Sequence, residues 1–221
     1  MTLIKHKSAS VSDSRKDRGK NDRVKNDRRV TRTRQQIDSA FVELLHRRAY
    51  GNLRVSDITR KAGVGRATFY AHYSSKDDLL RSQFSRIVAP MLATTPRDPC
   101  PVDASAFFAH VQTAPRIYKA LMGAAAGGAP KILRECFEWR IGQALALREE
   151  NPHAVTSNFE TPTEITIRFV ASSLFAVIEC FVQTSAAESP QSLQTIFSKL
   201  VGGGLSGFRK APGKSPDYPE L

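Results

Sequence analysis

The residues between Arg66 and Lys76 have the types and the spacing that a protein needs to contact the edges of DNA bases. Arg66 is followed by small residues and by residues that form hydrogen bonds: Ala67, Thr68, Tyr70 and His72. A helix that enters the major groove needs little bulk and many donors on its outer side. Because Phe69 and Tyr73 are four residues apart, we expect both rings to face the interior and to leave the other side chains exposed.

A turn that contains glycine positions this segment. The turn, Gly63-Val64-Gly65, follows a short helical pattern in which Val55 and Ile58 share one side. Gly63 can adopt the positive φ that ends a helix, and Val64 can fill the angle between the two helices. Two short helices joined by such a turn describe a helix-turn-helix.

Longer helical patterns flank the motif on both sides. Upstream, apolar residues recur at helical spacing at Ile37, Ala40, Phe41, Leu44 and Leu45. Thr33 and Gln36 fit a capping box at the start of this helix, and Gly51-Asn52 supplies its stop. Downstream, a turn at Ser74-Ser75 precedes a further helical stripe over residues 76–92.

The excess of positive charge lies entirely in the first part of the chain. The formal net charge is +12, of which residues 1–30 carry +6 and residues 31–92 carry +6, while residues 93–221 are neutral. A basic module joined to a neutral one indicates that the N-terminal part binds a polyanion. Residues 1–30 are almost wholly polar, so we predict that they form a disordered basic arm.

The second half also has the pattern of a helical protein. Its helical segments are separated by Pro, Gly and Asn, and none shows sustained alternation of apolar and polar residues. Residues 164–186 are apolar on more than one side, so we expect them to contact a partner subunit together with residues 193–205. We therefore predict an all-α fold: an N-terminal helix-turn-helix three-helix module, followed by a larger helical bundle at residues 100–208 and a disordered tail at residues 209–221.

The sequence contains no pattern typical of an enzyme or of a metal site. The five histidines are scattered, and P-loop, G-x-S-x-G and dinucleotide-binding motifs are absent. Cys100, Cys136 and Cys180 are too widely spaced for a metal or redox pair. No uninterrupted apolar run approaches 18 residues, and we identify no secretory signal. We therefore expect a cytoplasmic protein that has no cofactor, no metal and no contact with a membrane.

A run of 26 residues resembles the helix-turn-helix of the TetR family of bacterial transcriptional regulators. It extends from Val55 to Leu80 and reads VSDITRKAGVGRATFYAHYSSKDDLL. The preceding TRTRQQIDSAFVELL resembles the first helix of that family. The resemblance covers residues 31–92, with the motif at about 54–73. It implies a DNA-binding domain followed by a divergent helical domain that dimerises and usually binds a small effector.

The resemblance also implies roles for individual residues. The positions that match base or phosphate contacts of the recognition helix are Arg66, Ala67, Thr68, Tyr70 and His72. The positions that match contacts to the DNA backbone are Arg32, Arg34, Ser56 and Lys76. Gly65 and Arg54 depart from the family pattern, because a Ser or Thr that caps the following helix is common at both positions.

The aromatic residues of the second half are the candidates for an effector site. Trp139 beside Arg140 offers a large apolar face next to a charge, which suits an amphiphilic ligand. Phe107 and Phe175 are further candidates, although such rings belong more often to a core.

Together these features predict a homodimeric regulator that binds a double-stranded DNA operator. Two recognition helices must lie about 34–36 Å apart to enter successive major grooves. A small-molecule effector that favours a different spacing weakens operator binding, so a repressor released by its effector is the expected function. The alternative is a non-regulatory or architectural nucleic-acid-binding protein that uses its basic N-terminal region for charge alone.

Overall fold

The computed structural model describes residues 11–95, 100–149, 163–184 and 188–207. Within these ranges the chain is all-α, as the sequence predicts, apart from two strands of two residues each and two short 3-10 turns. The helices are Val11–Leu45 (α1), Val55–Ala62 (α2), Arg66–Tyr70 (α3), Lys76–Ile87 (α4), Ser105–Thr113 (α5), Pro115–Met122 (α6), Ala129–Glu149 (α7), Thr163–Thr184 (α8) and Pro190–Ser206 (α9). The predicted tail at residues 209–221 lies outside the described residues.

Helix α1 begins at Val11 and runs without interruption to Leu45. Residues 11–30, predicted as part of a disordered arm, are thus described as helix, while residues 1–10 lie outside the described part of the chain. Once the packed residues 37–45 form a helix, each further residue adds a hydrogen bond at low cost, so a polar segment rich in Arg and Lys can extend it. The predicted capping box is wrong for the same reason, because Thr33 lies within the helix and its hydroxyl donates to the carbonyl of Arg29 at 2.9 Å.

Helices α1 to α4 form the predicted helix-turn-helix module around buried apolar side chains. Phe41, Ile58, Phe69 and Leu79 come from four different helices and are fully buried together. Helix α2 ends at Gly63, whose φ of 67° confirms the left-handed conformation expected there. The stop predicted for α1 at residues 51–52 comes too late, because the helix ends at Leu45 and residues 50–52 form a 3-10 turn.

Two backbone links tie this module to the second half of the chain. After α4, Ala93–Thr94 (β1) pairs antiparallel with Val102–Asp103 (β2). The Arg140 guanidinium on α7 donates to the carbonyls of Ala89 and Leu92, which follow α4, at 2.9 and 2.6 Å. These bonds fix the C-terminal end of α4 against the second half.

The second link joins the α1–α2 connection to the α6–α7 connection. The backbone N–H of Gly51 donates to the carbonyl of Ala125 at 3.1 Å. A side chain cannot fit at this point, because a Cβ at Gly51 would lie 2.5 Å from the oxygen of Ala125. These connections add to the direct packing between the two halves, in which α4 contacts α7 and α1 contacts α6.

Helices α5 to α9 pack around aromatic rings that meet edge to face. The rings of Phe107 and Phe137 are 5.5 Å apart, and those of Phe108 and Phe197 are 6.3 Å apart, measured between centroids. Phe84 of α4 joins this cluster with its ring 4.9 Å from that of Phe137. Helix α4 therefore contributes buried side chains to both halves of the core.

Helix α8 has the length and apolar composition of a membrane span, which the sequence analysis did not expect. The charged residues Arg168 and Glu179 interrupt this helix, so no long uninterrupted apolar run marks it in the sequence. In the structure, one side of α8 is buried against α7, α9 and α6, with Val170, Leu174 and Ile178 at its centre. The helix therefore packs as a core element on that side.

Candidate nucleic-acid interface

Helix α3 presents its polar residues outward, as predicted. Arg66 and Ala67 are exposed, half of the surface of Tyr70 is accessible, and Thr68 and His72 are half-buried. The ring of Phe69 is fully buried, and Tyr73 is 2% exposed, so the two rings expected to face inward do so. The outer face of α3 is therefore free to enter a groove, while its inner face is anchored in the module.

The turn before α3 has no side-chain cap. Gly65 occupies the N-cap position and offers no acceptor to the first N–H groups of α3. The preceding helix is better capped, because the carboxylate of Asp57 accepts the backbone N–H of Arg54 at 3.0 Å. Ser56, expected to contact the DNA backbone, lies half-buried in the first turn of α2.

A hydrogen-bonded cluster fixes the end of the recognition segment to α1 and α4. The Tyr73 hydroxyl donates to Asp38 Oδ1 at 2.6 Å, and Arg34 Nε donates to the Tyr73 oxygen at 3.0 Å. Arg34 NH2 donates to the Ser82 hydroxyl at 2.9 Å, and Arg86 NH2 lies 2.7 Å from Asp38 Oδ2. Burial and the bond to Asp38 raise the pKa of Tyr73, and the bond to Tyr73 raises the pKa of Arg34. Arg34 is therefore exposed but bonded to Tyr73 and Ser82, so its predicted role as a DNA contact needs donors that this cluster leaves free.

Lys76 is also bound within the protein. Its ammonium group donates to the carbonyls of Tyr50 and Leu53, both at 2.8 Å, and lies 4.1 Å from the centre of the Tyr50 ring. Burial lowers the pKa of Lys76. The half-buried side chain of Lys76 therefore ties the α1–α2 connection to α4. One of its three N–H groups remains for a phosphate.

Arg32 and Arg66 differ from these two cations. Within the described residues, neither side chain forms a hydrogen bond or an ion pair with the protein, and both are exposed. Lys61 and Arg60, by contrast, are paired with the carboxylates of Glu43 and Asp57. Arg32 and Arg66 are therefore available to an external polyanion.

Sequence reasoning missed the acidic partners of this module. Asp38 is 6% exposed and accepts from Tyr73, while Asp77 accepts the hydroxyl of Tyr50. Asp38 directly follows the buried Ile37 and precedes Phe41 by three residues, so its place on the inner side of α1 was available as a signal. No such pattern marks Asp77 in the sequence. Its partner, Tyr50, lies on the α1–α2 connection, and the sequence does not define the path of that connection.

The four effector candidates do not line one common site. Trp139 is 58% exposed, Phe107 is fully buried in the aromatic core, and the Arg140 guanidinium is bound to two carbonyls. Phe175 is 3% exposed, and the guanidinium carbon of Arg134 lies 4.6 Å from the centre of the Phe175 ring. The expectation of a site at Trp139 and Arg140 is therefore not supported, because their functional groups point to different surroundings. Among the described residues, no three His, Cys, Asp or Glu side chains converge to hold a metal ion.

The pockets of the described part of the chain include two with mainly apolar linings. An apolar groove of about 630 Å³ runs between α8 and α9 and is lined by Phe169, Val177, Phe181, Ile196 and Leu200. A smaller cavity of about 120 Å³ lies where α1 and α4 meet α5, α6 and α7. The groove opens on the outer surface of the second half, whereas the cavity lies at the junction of the two halves.

Comparison with known proteins finds one family and several related folds. Residues 37–82 match the family described as bacterial regulatory proteins, tetR family. An uncharacterised HTH-type transcriptional regulator, YxbF of Bacillus subtilis (strain 168), is 43% identical over 67 residues. That match covers 30% of this chain and 18% of the length of YxbF, so the shared part is confined to one domain.

Solved structures match over most of the chain. A TetR transcriptional regulator from Streptococcus agalactiae 2603V has a TM-score of 0.55 at 21% identity, covering 80% of this chain and 98% of that one. The dihydroxyacetone kinase operon activator DhaS has a TM-score of 0.53 at 17% identity, with the same coverage. At this level of identity the likeness concerns the fold, which these regulators share with the present chain in both halves. The family and these neighbours are regulators of transcription and not enzymes.

Proposed function

Because this chain is a member of the TetR family of bacterial regulatory proteins through its helix-turn-helix domain, we propose that it is a homodimeric transcriptional repressor released from a palindromic operator by a small molecule. The observation that carries the proposal is the outer face of α3. There the unpaired Arg66 is exposed beside Ala67 and Tyr70, while the buried ring of Phe69 anchors the inner face of the helix. In this proposal the protein acts in the cytoplasm, where bacterial operators are located.

The proposed contacts divide between bases and phosphates. The Arg66 guanidinium can form a bidentate hydrogen bond to O6 and N7 of guanine. The hydroxyls of Thr68 and Tyr70 and the imidazole of His72 are the further groups proposed to contact DNA. Ala67 leaves room for the base edge. Arg32 and Ser56 contact the DNA backbone, and Lys76 adds its remaining N–H group while it holds α4 in place. Arg34 contributes to the interface mainly by orienting Tyr73.

The second half supplies the proposed dimer interface at α8 and α9. Ile165, Phe169, Ile196 and Leu200 are apolar side chains with 39–58% of their surface exposed, and three of them border or line the groove between the two helices. Exposed apolar side chains that cluster on one face mark an interaction surface. A second copy that applies the same face across a two-fold axis would cover both apolar stripes.

The dimer is tested by replacing Leu200 with Asp and comparing it with Lys199→Asp on the same helix. Leu200 is 57% exposed, so its replacement leaves the monomer core intact. We expect Leu200→Asp to sediment as a folded monomer, because a carboxylate buried in an apolar interface is costly, and Lys199→Asp to remain a dimer. A dimer of unchanged affinity in Leu200→Asp would show that this face is not the interface.

The regulatory sign is the part of the proposal that the fold leaves open. DhaS, which has the same fold, is by its name an activator. A repressor blocks transcription by occupying its operator, so deletion of the gene should raise expression of the neighbouring genes. A fall in expression after deletion would identify an activator.

Selection from a random DNA library tests the central claim. The wild-type protein should enrich a palindrome, while Arg66→Ala should lose preference at one base pair in each half-site, a loss of about 1–3 kcal/mol of discrimination. Arg116, an exposed arginine on α6, provides the matched control, and Arg116→Ala should select the wild-type sequence. If no sequence is enriched and binding depends only on salt, the architectural alternative is correct.

A further inference from the structure

The recognition helix α3 is short and has few anchors of its own. It contains five residues, and its N-cap residue, Gly65, forms no side-chain hydrogen bond. Among the described elements, α3 packs mainly against α2. The ring of Phe69 is fully buried, but apolar burial fixes the distance of a helix from its neighbours more than its direction. The direction of α3 therefore depends on a second anchor.

Tyr73 provides this second anchor, one helical turn after Phe69. Its backbone N–H donates to the carbonyl of Phe69 at 2.9 Å, so its position is tied to that of α3. Burial raises the pKa of the Tyr73 hydroxyl, which therefore keeps its proton and acts as a donor. It donates to Asp38 Oδ1 at 2.6 Å and accepts from Arg34 Nε at 3.0 Å. Both partners lie on α1, so these directional bonds fix the end of the recognition segment relative to α1.

Asp38 is itself fixed between two helices. It is 6% exposed on the buried side of α1, and its Oδ2 lies 2.7 Å from Arg86 NH2 on α4. The same Arg86 nitrogen donates to Gln83 Oε1 at 3.0 Å, so the guanidinium is held on α4. A carboxylate that binds Tyr73 with one oxygen and Arg86 with the other has little freedom to rotate. Because it is buried and negatively charged, Asp38 is not a contact to DNA phosphates.

We propose that Asp38 is a positioning residue for base recognition: by holding the Tyr73 hydroxyl it sets the direction of α3 and thereby the sequence preference of the protein. The inference rests on the proposed function, in which the outer face of α3 reads bases. A bidentate bond from Arg66 to guanine has a narrow geometric tolerance, because hydrogen bonds weaken steeply away from linearity. Contacts to phosphates carry no sequence information, so base discrimination should depend on Asp38 more than total affinity does.

A purely structural role of Asp38 makes a different prediction. If Asp38 only stabilised the module, any variant of normal stability would also keep the normal sequence preference. Asp38→Leu combined with Tyr73→Phe separates the two roles, because replacing both bonded groups by apolar groups of similar shape is nearly neutral for stability. Arg34 is exposed and the Arg86 side chain is 47% exposed, so both cations can turn towards water in this double variant.

Base discrimination is measured as the ratio of the affinities of the full-length protein for the selected palindrome and for its single-base variants. We expect the double variant to keep the wild-type melting temperature and salt dependence, and to lose about fivefold in this ratio, the effect of one hydrogen bond to a base. Asp38→Asn keeps an oxygen that accepts from Tyr73 and should retain the wild-type ratio. The control Arg81→Met removes an exposed ion pair to Glu135 on the α7 side of α4 and should retain it too.

Two results would overturn the proposal. One is an unchanged ratio in a stable double variant, and the other is a fall in affinity that is equal for all sequences. A loss in Asp38→Asn as large as that in the double variant would likewise exclude the hydrogen bond to Tyr73 as the cause. If the double variant does not fold, Tyr73→Phe alone decides, because it removes the donor and keeps the ring that packs 5.9 Å from that of Phe69. It should show the same fivefold loss, and an unchanged ratio would overturn the proposal.

Hydrogen exchange tests the anchor independently of any operator. The amides of residues 71–73 donate to the carbonyls of Ala67 and Phe69. At unchanged global stability these amides should exchange faster in the double variant than in the wild-type protein, because the segment opens locally, while the amides of residues 58–62 in α2 should not change. Equal rates at residues 71–73 would overturn the anchoring role of Asp38. Since this readout contains no DNA, its failure leaves the DNA-binding proposal intact, and failure of the library selection leaves the anchor intact.

Discussion

Each half of the molecule is stabilised internally by a different kind of contact. In the helix-turn-helix module, polar side chains from distant elements meet in directional bonds, as Arg34, Asp38 and Tyr73 do, and as Lys76 does with Tyr50. In the second half, helices meet mainly through aromatic rings, with Phe107 and Phe137 at the centre. Directional bonds fix the orientation of an element, whereas apolar packing fixes mainly its distance from its neighbours.

This difference explains where the family signature is found. A hydrogen bond requires particular atoms at particular positions, so the module that must aim α3 tolerates few replacements. An apolar core accepts other side chains of similar volume, so the second half can change its sequence and keep its fold. The family match accordingly covers residues 37–82, while the solved structures match over both halves.

The largest expected effect comes from removing a ring from the apolar half. Phe175 is 3% exposed, so Phe175→Ala should lower the free energy of unfolding by about 3–5 kcal/mol, through lost burial and the cavity that remains. Phe181 is half-buried at the α8–α9 groove, and Phe181→Ala should cost clearly less in the monomer. Urea denaturation at low protein concentration measures both. Equal costs would show that the two rings do not face different surroundings.

Lys76 tests whether the charged module depends on its internal bonds. Lys76→Ala leaves the carbonyls of Tyr50 and Leu53 without their donor, and we expect a loss of about 1–3 kcal/mol in the free energy of unfolding. Arg66→Ala is the matched control, since it removes a cation that has no partner in the protein and should leave thermal unfolding unchanged. A stable Lys76→Ala variant with weakened DNA binding would instead identify Lys76 as a phosphate contact alone.

Gly51 tests the joint between the two halves. Gly51→Ala would place a Cβ 2.5 Å from the carbonyl oxygen of Ala125, so the two connections must separate, at a cost of about 1–3 kcal/mol. Gly128→Ala provides the control, because a Cβ there meets nothing within 4 Å. Thermal denaturation of the two variants gives the comparison. If Gly51→Ala is as stable as Gly128→Ala, the joint is looser than the contact to Ala125 indicates.

The smallest expected effect is a gain. Gly65→Ser adds the side-chain acceptor that the start of α3 lacks, and a Cβ at this position lies 3.8 Å from its nearest neighbour, Thr68 Oγ1. We expect stabilisation of a few tenths of a kcal/mol, the usual difference between Ser and Gly at an N-cap. Differential denaturation against the wild-type protein measures it. A loss of stability would mean that the new hydroxyl does not reach the N–H groups of α3.

The sequence predicted those features that depend on local rules. The left-handed Gly63, the inward rings of Phe69 and Tyr73 and the all-α fold follow from turn chemistry and helical spacing. The internal bonds of Arg34 and Lys76 did not follow, because their partners lie on other elements and are brought near only by the fold. The extension of α1 to Val11 was missed because a polar composition was taken as evidence of disorder, although Arg and Lys are good helix formers.

The separation of the candidate effector residues could not be predicted for a similar reason. Trp139 and Arg140 are adjacent in sequence but point to different surroundings, one to solvent and the other to the carbonyls that follow α4. The pocket where α1 and α4 meet α5, α6 and α7 is built from helices far apart in the chain, and no sequence pattern singled it out. Such a site depends on which helices meet, which is a property of the tertiary structure.

Because α1 is unbroken, its N-terminal end lies far from the helix-turn-helix module and moves with it. Its 35 residues form a rod of about 50 Å whose C-terminal third is embedded in the helix-turn-helix module. A tilt of the module by about 10° would therefore swing the distal end of this rod by about 9 Å, far more than it displaces α3 itself. Two dyes, one near Val11 and one near the exposed Arg116 on α6, would turn that swing into an optical signal. The position of the N-terminal end of α1 therefore reports the tilt of the helix-turn-helix module.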